Sequence, residues 1–181
     1  MNYSKISVRY SKALFLLAKE KELLDNIKDD IYLIGDSIKL VPEFSLLISS
    51  PIIAPSKKQE IIQSIFKNKI HQLTFSFLNL LVNNKREDHI ADIIRNFIKL
   101  YKKDKNIKTV VLTTPVSIDQ SLENEISKLI KTKFETNIEL IKEVDKNIIG
   151  GFILKIENQL LDASVSSQLK RIKQELLETH L

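Results

Sequence analysis

Apolar residues recur every three or four positions from the N terminus to about residue 104, the period of helices with one buried face. A first helix capped by Ser4 carries Ile6, Tyr10, Ala13 and Leu17 on one stripe. A second fits Leu23, Ile27, Ile31, Ile34 and Ile38 and must stop before Pro42, because proline disfavours helical geometry in the residue before it. A short third fits Glu43 to Ser49. A fourth starts at Pro55 or Ser56 and carries Ile61, Ile62, Ile65 and Phe66. The fifth runs from about Ile70 to Asn83, and the sixth from about Glu87 to Lys103 with Ile90, Ile94, Phe97 and Tyr101 in register. Short connections between amphipathic helices predict a six-helix antiparallel bundle over residues 1–104.

Two of these helices carry more apolar surface than a single core requires. In the first, Leu14, Phe15, Leu16 and Ala18 lie outside the Ile6–Tyr10–Leu17 stripe. In the fifth, Leu73, Phe75, Phe77, Leu78, Leu80, Leu81 and Val82 sweep roughly 220° of the helix at about 100° per residue, where an ordinary surface helix buries roughly 100°. A helix buried on both sides would explain this, and so would an exposed groove that receives a partner's helix. The two explanations are compatible.

The pattern changes after Lys102-Lys103-Asp104-Lys105-Asn106, a charged stretch that reads as a linker. Ile107 to Thr113 is rich in β-branched residues and predicts a strand ended by Pro115. Ser117 and Gln120 have capping-box spacing for a helix through Ile126, Leu129, Ile130 and Phe134. Asn137 to Val144 and Phe152 to Ile156 alternate in the manner of strands. Asn158-Gln159 can turn into a further strand at Leu160-Leu161, and Ser164 or Ser166 can cap a last helix through Leu169, Ile172, Leu176 and Leu177. The order β-α-β-β-β-α predicts a small α+β domain over residues 105–181.

Composition narrows the chemistry. The 181 residues are 43% hydrophobic and 28% charged, the profile of a folded protein, and no apolar run approaches the roughly 20 residues that span a bilayer. With no cysteine, disulfides and thiolate metal sites are excluded. His71, His89 and His180 share no ligand spacing and read as surface residues. The net charge of +5 raises the alternative of a basic helical nucleic-acid-binding protein. Against it, the lysines are dispersed among acids, and only Arg9, Arg86, Arg95 and Arg171 supply guanidinium groups, the usual bidentate phosphate readers. Gly150-Gly151 precedes a strand and lacks the Lys-Ser or Lys-Thr of a phosphate loop, so it reads as a tight bend. Asp162 and Ser164 read as the cap of the last helix, since no histidine or nucleophile elbow accompanies them. No catalytic, cofactor or metal site is predicted, and binding to other proteins is the expected activity.

In order along nearly the whole chain, the sequence resembles the delta subunit family of F-type ATP synthases, which is similar to the mitochondrial oligomycin-sensitivity-conferring subunit. The most specific stretches are Val144-Asp145-Lys146-Asn147-Ile148-Ile149-Gly150-Gly151-Phe152 and Asp162-Ala163-Ser164-Val165-Ser166-Ser167-Gln168-Leu169. Arg9-Tyr10-Ser11-Lys12-Ala13-Leu14-Phe15 matches the family's opening. Ser50-Pro51-Ile52-Ile53 with Lys57, and Phe77-Leu78-Asn79-Leu80-Leu81 with Arg86, are weaker matches. Ala163 stands where the family has glycine. The resemblance implies a non-catalytic stator subunit without cofactor, present once in a hetero-oligomer. It would be peripheral at the cytoplasmic face of the cell membrane, neither inserted in the bilayer nor bound to nucleic acid. Its helical domain would hold the N-terminal helices of the alpha subunits in a groove between the first and fifth helices, with Tyr10, Leu14, Leu17, Phe77, Leu78 and Leu81 as candidate contacts. Its C-terminal domain would hold the peripheral stalk subunit b.

Overall fold

The computed structural model of the chain describes residues 5–134, 136–157 and 159–178, with the side chains of residues 122, 129, 132–134, 177 and 178 also left undescribed. The expected cap at Ser4, the turn residue Asn158, His180, and the side chains of Leu129, Phe134 and Leu177 fall outside the described set. The described residues are mostly helical, with one small sheet. The chain divides into two compact units, Met1–Lys102 and Lys103–Leu181.

The first unit contains α1 (Lys5–Glu20), α2 (Leu24–Leu40), α3 (Pro42–Ser49), α4 (Pro55–Phe66) and α5 (Gln72–Asn83). A single 3-10 turn, Glu87–His89, then leads into α6 (Ile90–Asp104). Pro42 and Pro55 each open a helix, where a missing N–H costs nothing and the fixed φ suits the first turn. The core draws on every helix: Leu14, Phe15 and Ala18 from α1, Ile27, Ile31 and Ile34 from α2, Phe44 and Ile48 from α3, Ile62 and Phe66 from α4, Leu78, Leu81 and Val82 from α5, and Ile93, Ile94 and Phe97 from α6. Edge-to-face ring pairs, Phe15 on Phe97 and Phe44 on Phe66, lie within it.

Two buried polar side chains of this unit are partnered in ways that tie helices together. Asp30 of α2 is buried and accepts from the backbone N–H of His71 (2.9 Å) and the Thr74 hydroxyl (2.6 Å), pinning the start of α5. Lys58 of α4 is buried against Glu87, which fastens the 3-10 turn.

Two expectations need correction here. The charged stretch 102–106 is partly helical: α6 runs on through Asp104, and Asn106, at φ 49°, precedes the first strand. Lysines and aspartate are good enough helix residues to continue the last turn when nothing stops them. Ser117 also does not cap the next helix, which starts at Gln120, two positions later than that cap would set.

The second unit has the order β1 (Ile107–Thr114), α7 (Gln120–Phe134), β2 (Asn137–Val144), β3 (Ile153–Ile156), β4 (Gln159–Asp162), α8 (Val165–Glu178). The sheet order is β2-β1-β3-β4, with β1 parallel to β2 and antiparallel to β3, and β4 antiparallel to β3. Val110 and Leu112 of β1, Leu154 and Ile156 of β3, and Ile130 of α7 form its core, with Ile126, Ile138 and Leu140 packed around it. Lys142 of β2 reaches Glu123 of α7 at 2.7 Å, consistent with α7 covering that face of the sheet.

Candidate partner-binding groove

α1 and α5 each have two apolar faces. The inward face of α1 runs Ser7, Ser11, Leu14, Phe15, Ala18, all buried. The inward face of α5 runs Thr74, Leu78, Leu81, Val82, again all buried. Beside these, Tyr10, Ala13 and Leu17 of α1 and Leu73, Phe77 and Leu80 of α5 line an open groove of about 850 Å³. Leu17 and Leu80 remain 40% and 48% exposed in it. Tyr10 stacks edge-on to Phe77 with ring centroids 6.3 Å apart, and its hydroxyl accepts from the Asn84 amide at 3.3 Å. These contacts join the two walls of the groove.

The helix ends that frame the groove are fixed locally. His71 caps α5 by accepting the Leu73 N–H on Nδ1 at 3.1 Å, so the surface reading of this half-buried histidine is corrected: its ring does structural work. At the other end the Asn84 N–H bonds back to the Leu80 carbonyl.

The expected contact residues divide. Tyr10, Leu17 and Phe77 line the groove, and so does Leu14, although Leu14 is only 2% exposed and belongs mainly to the core. Leu78 and Leu81 do not line it; both are buried on the core-facing side of α5. On α1 the stripe Tyr10–Ala13–Leu17 faces the groove, while Leu14, Phe15 and Ala18, outside that stripe, supply the core. Leu80, Leu73 and Ala13 were not among the expected contacts. They could have been found from spacing, because Leu73, Phe77 and Leu80 repeat at i, i+4 and i+7 as a stripe of their own.

In the second unit the expected turn and cap residues meet at the start of α8. Gly151 has φ +80°, and a Cβ there would lie 2.3 Å from the Ala163 carbonyl oxygen. A side chain at Gly150 would instead meet only the Val165 side chain, with Cγ2 nearest at 3.1 Å, so Gly151 carries the stricter demand. Ser164 Oγ accepts the Ser167 N–H at 3.2 Å, which makes Ser164 rather than Ser166 the cap. Asp162 accepts the Ser167 hydroxyl at 2.6 Å and the Ser164 N–H at 2.9 Å, and these donors hold its carboxyl below the usual carboxylate range. The helix so started exposes Val165, Leu169, Ile172 and Leu176, between 38% and 59% exposed, on one stripe. Their 4-3-4 spacing is that of a helix seam.

The sequence model of the ATP synthase delta (OSCP) subunit family matches residues 6–176. The chain belongs to this family. An ATP synthase subunit delta of Parabacteroides distasonis is 34% identical over 178 residues, covering 98% of this chain and 99% of the relative. One from Lactobacillus gasseri is 32% identical over 98% of both chains. Among solved structures, a chain of the Toxoplasma gondii mitochondrial ATP synthase hexamer superposes with a TM-score of 0.74 at 25% identity, covering 96% of this chain and 98% of that one. As a member of the delta/OSCP family, the protein is a subunit of an F-type ATP synthase, and the nucleic-acid alternative is not favoured. No helix among the described residues is long and apolar enough to cross a membrane.

Proposed function

We propose that this subunit is a non-catalytic stator element, present once per complex, that joins the alpha subunits of the catalytic head to peripheral stalk subunit b. The head is thereby kept from turning with the rotor. The protein reaches the cytoplasmic face of the cell membrane only through the complex. The observation that carries this reading is the second apolar face on α1 and α5. A helix packed only in its own core has one apolar stripe, and these two hold a further one open to solvent as a groove of about 850 Å³. An amphipathic N-terminal helix of alpha fits such a site, with anchors at i, i+3, i+4 and i+7. The exposed stripe of α8 supplies a separate surface for the helical stalk subunit. Two independent surfaces suit a part that must transmit torque, since slow dissociation at large interfaces, not chemistry, is the requirement.

Calorimetric titration of the full chain with a peptide of the alpha N-terminus tests the groove. Truncation of an interface anchor commonly costs ~2 kcal/mol, so Leu80→Ala should weaken binding by roughly thirtyfold while leaving the thermal midpoint nearly unchanged. Unchanged affinity in both Leu80→Ala and Leu17→Ala would refute the assignment.

A further inference from the structure

The groove has a charge sign as well as an apolar lining. Arg9, Lys21 and His71 line it, and among the described residues no carboxylate does. Arg9 and Lys21 are exposed, and neither joins an ion pair among the described residues. They stand at opposite ends. Tyr10, next to Arg9, bonds to Asn84 just past the C-terminal end of α5, while His71, at the N-terminal end of α5, lines the groove with Lys21 just past the end of α1. At about 1.5 Å per residue the stretch from Arg9 to Lys21 is roughly 18 Å long, somewhat over three helical turns. The His71 Nδ1 is occupied as an acceptor, so the neutral ring carries its hydrogen on Nε2 and offers a donor at the Lys21 end.

We propose that the groove selects an amphipathic helix that is acidic at both ends. Arg9 would hold one carboxylate, and Lys21, with the Nε2–H of His71, the other. The inference rests on the helix-in-groove reading above and specifies the chemistry of the occupant. A helix laid over the apolar lining displaces water from the rims, so charges meeting there are screened less than on open surface. Opposite charges then fix the helix's register along the groove, and like charges reject it. The apolar anchors alone would tolerate sliding by a turn; a charge at each end does not.

The test titrates the full chain with three synthetic helical peptides that share one apolar face and carry glutamate, glutamine or lysine at both ends. The glutamate peptide should bind about tenfold more tightly than the glutamine peptide, and the lysine peptide more weakly than either. The spread should shrink as salt is raised to about 0.5 M. In Arg9→Glu/Lys21→Glu the order should reverse. Arg9→Gln and Lys21→Gln should each remove part of the glutamate preference, and this serves if the double variant folds poorly. Equal binding of all three peptides by the parent protein would overturn the charge clamp while leaving the groove standing. Binding of none would overturn both. An unreversed order in a folded double variant would show that the selecting charges lie elsewhere.

Discussion

The two units bury their apolar residues very differently. In the first, six helices converge on one core that includes fully buried Ile27, Leu81 and Phe97, and the groove is surplus to it. In the second, among the described side chains, three strand-and-helix elements share a small core, while the apolar residues of α8 stand outside it. A large core can leave a groove open at modest cost, because its stability does not depend on that surface. A small core depends on local devices, namely the Gly151 bend, the Ser164 cap and the Asp162 bonds, to place a helix that it scarcely packs. Partner binding should therefore be separable from folding in the first unit and much less so in the second.

The largest expected effect comes from confusing the two faces of α5. Leu81→Ala should destabilise the protein by about 2–5 kcal/mol through the cavity it leaves, whereas the adjacent Leu80→Ala should cost little stability. Chemical denaturation of both variants checks this, and equal losses would erase the distinction between core and groove. Next in size, Gly151→Ala should cost a few kcal/mol, since it combines a strained φ with a clash against the Ala163 carbonyl. Gly150→Ala should cost less, since its neighbour is a side chain able to move. Comparing the two by hydrogen exchange in α8 would show whether the bend positions that helix.

Smaller effects follow from pH, and they separate the units. The Asp162 carboxyl is held below its ordinary value, first by the Ser167 hydroxyl and then by Ser164, so it binds a proton less readily folded than unfolded. Its contribution is present above the unfolded value of about 3.9 and is lost as pH falls through the folded one. Protection of α8 should decline in acid, and Asp162→Asn should flatten that decline. Tyr101 behaves in the opposite sense. Burial, together with its hydrogen bond to Asp25 at 2.7 Å, raises its hydroxyl to about 12. Its contribution is whole below the unfolded value of about 10 and disappears as pH climbs through about 12. The first unit should lose a small increment of stability in alkali, and Tyr101→Phe should remove that increment. Because the Tyr101–Asp25 bond lies at the surface, this is the smallest of the expected changes.

How far these arrangements could be read from sequence depends on where polar residues lie. The helices of the first unit and the β-α-β-β-β-α order of the second followed from periodicity and punctuation. The choice of inward face did not. Ser7 and Ser11 are buried along α1, with the Ser11 hydroxyl turned back to the Val8 carbonyl at 3.0 Å, and Thr74 is buried on α5, where its hydroxyl donates a hydrogen bond to Asp30. A core stripe carrying serines and a threonine looks less apolar than the groove stripe beside it, so hydrophobicity alone inverts the two. The surplus on α1 and α5 was legible; its direction required the hydrogen-bond partners of Ser11 and Thr74. Lys58 was hidden for the same reason, since a charged residue enters a core only when a distant one, here Glu87, is brought to meet it. At α8 the cap residues were readable because capping is local, and the choice of Ser164 over Ser166 needed only the first turn.

The central claim is that the face of α5 bearing Leu80 meets the alpha subunit. The chain has no cysteine, so one introduced thiol is unique. Leu80→Cys, carrying a short photoactivatable cross-linker, should be assembled with the catalytic head and irradiated, beside Ile52→Cys at an exposed site away from the groove. The account predicts a covalent product with alpha from position 80 and little from position 52. No alpha product from position 80 in an assembled complex, or equal yields from the two positions, would contradict it.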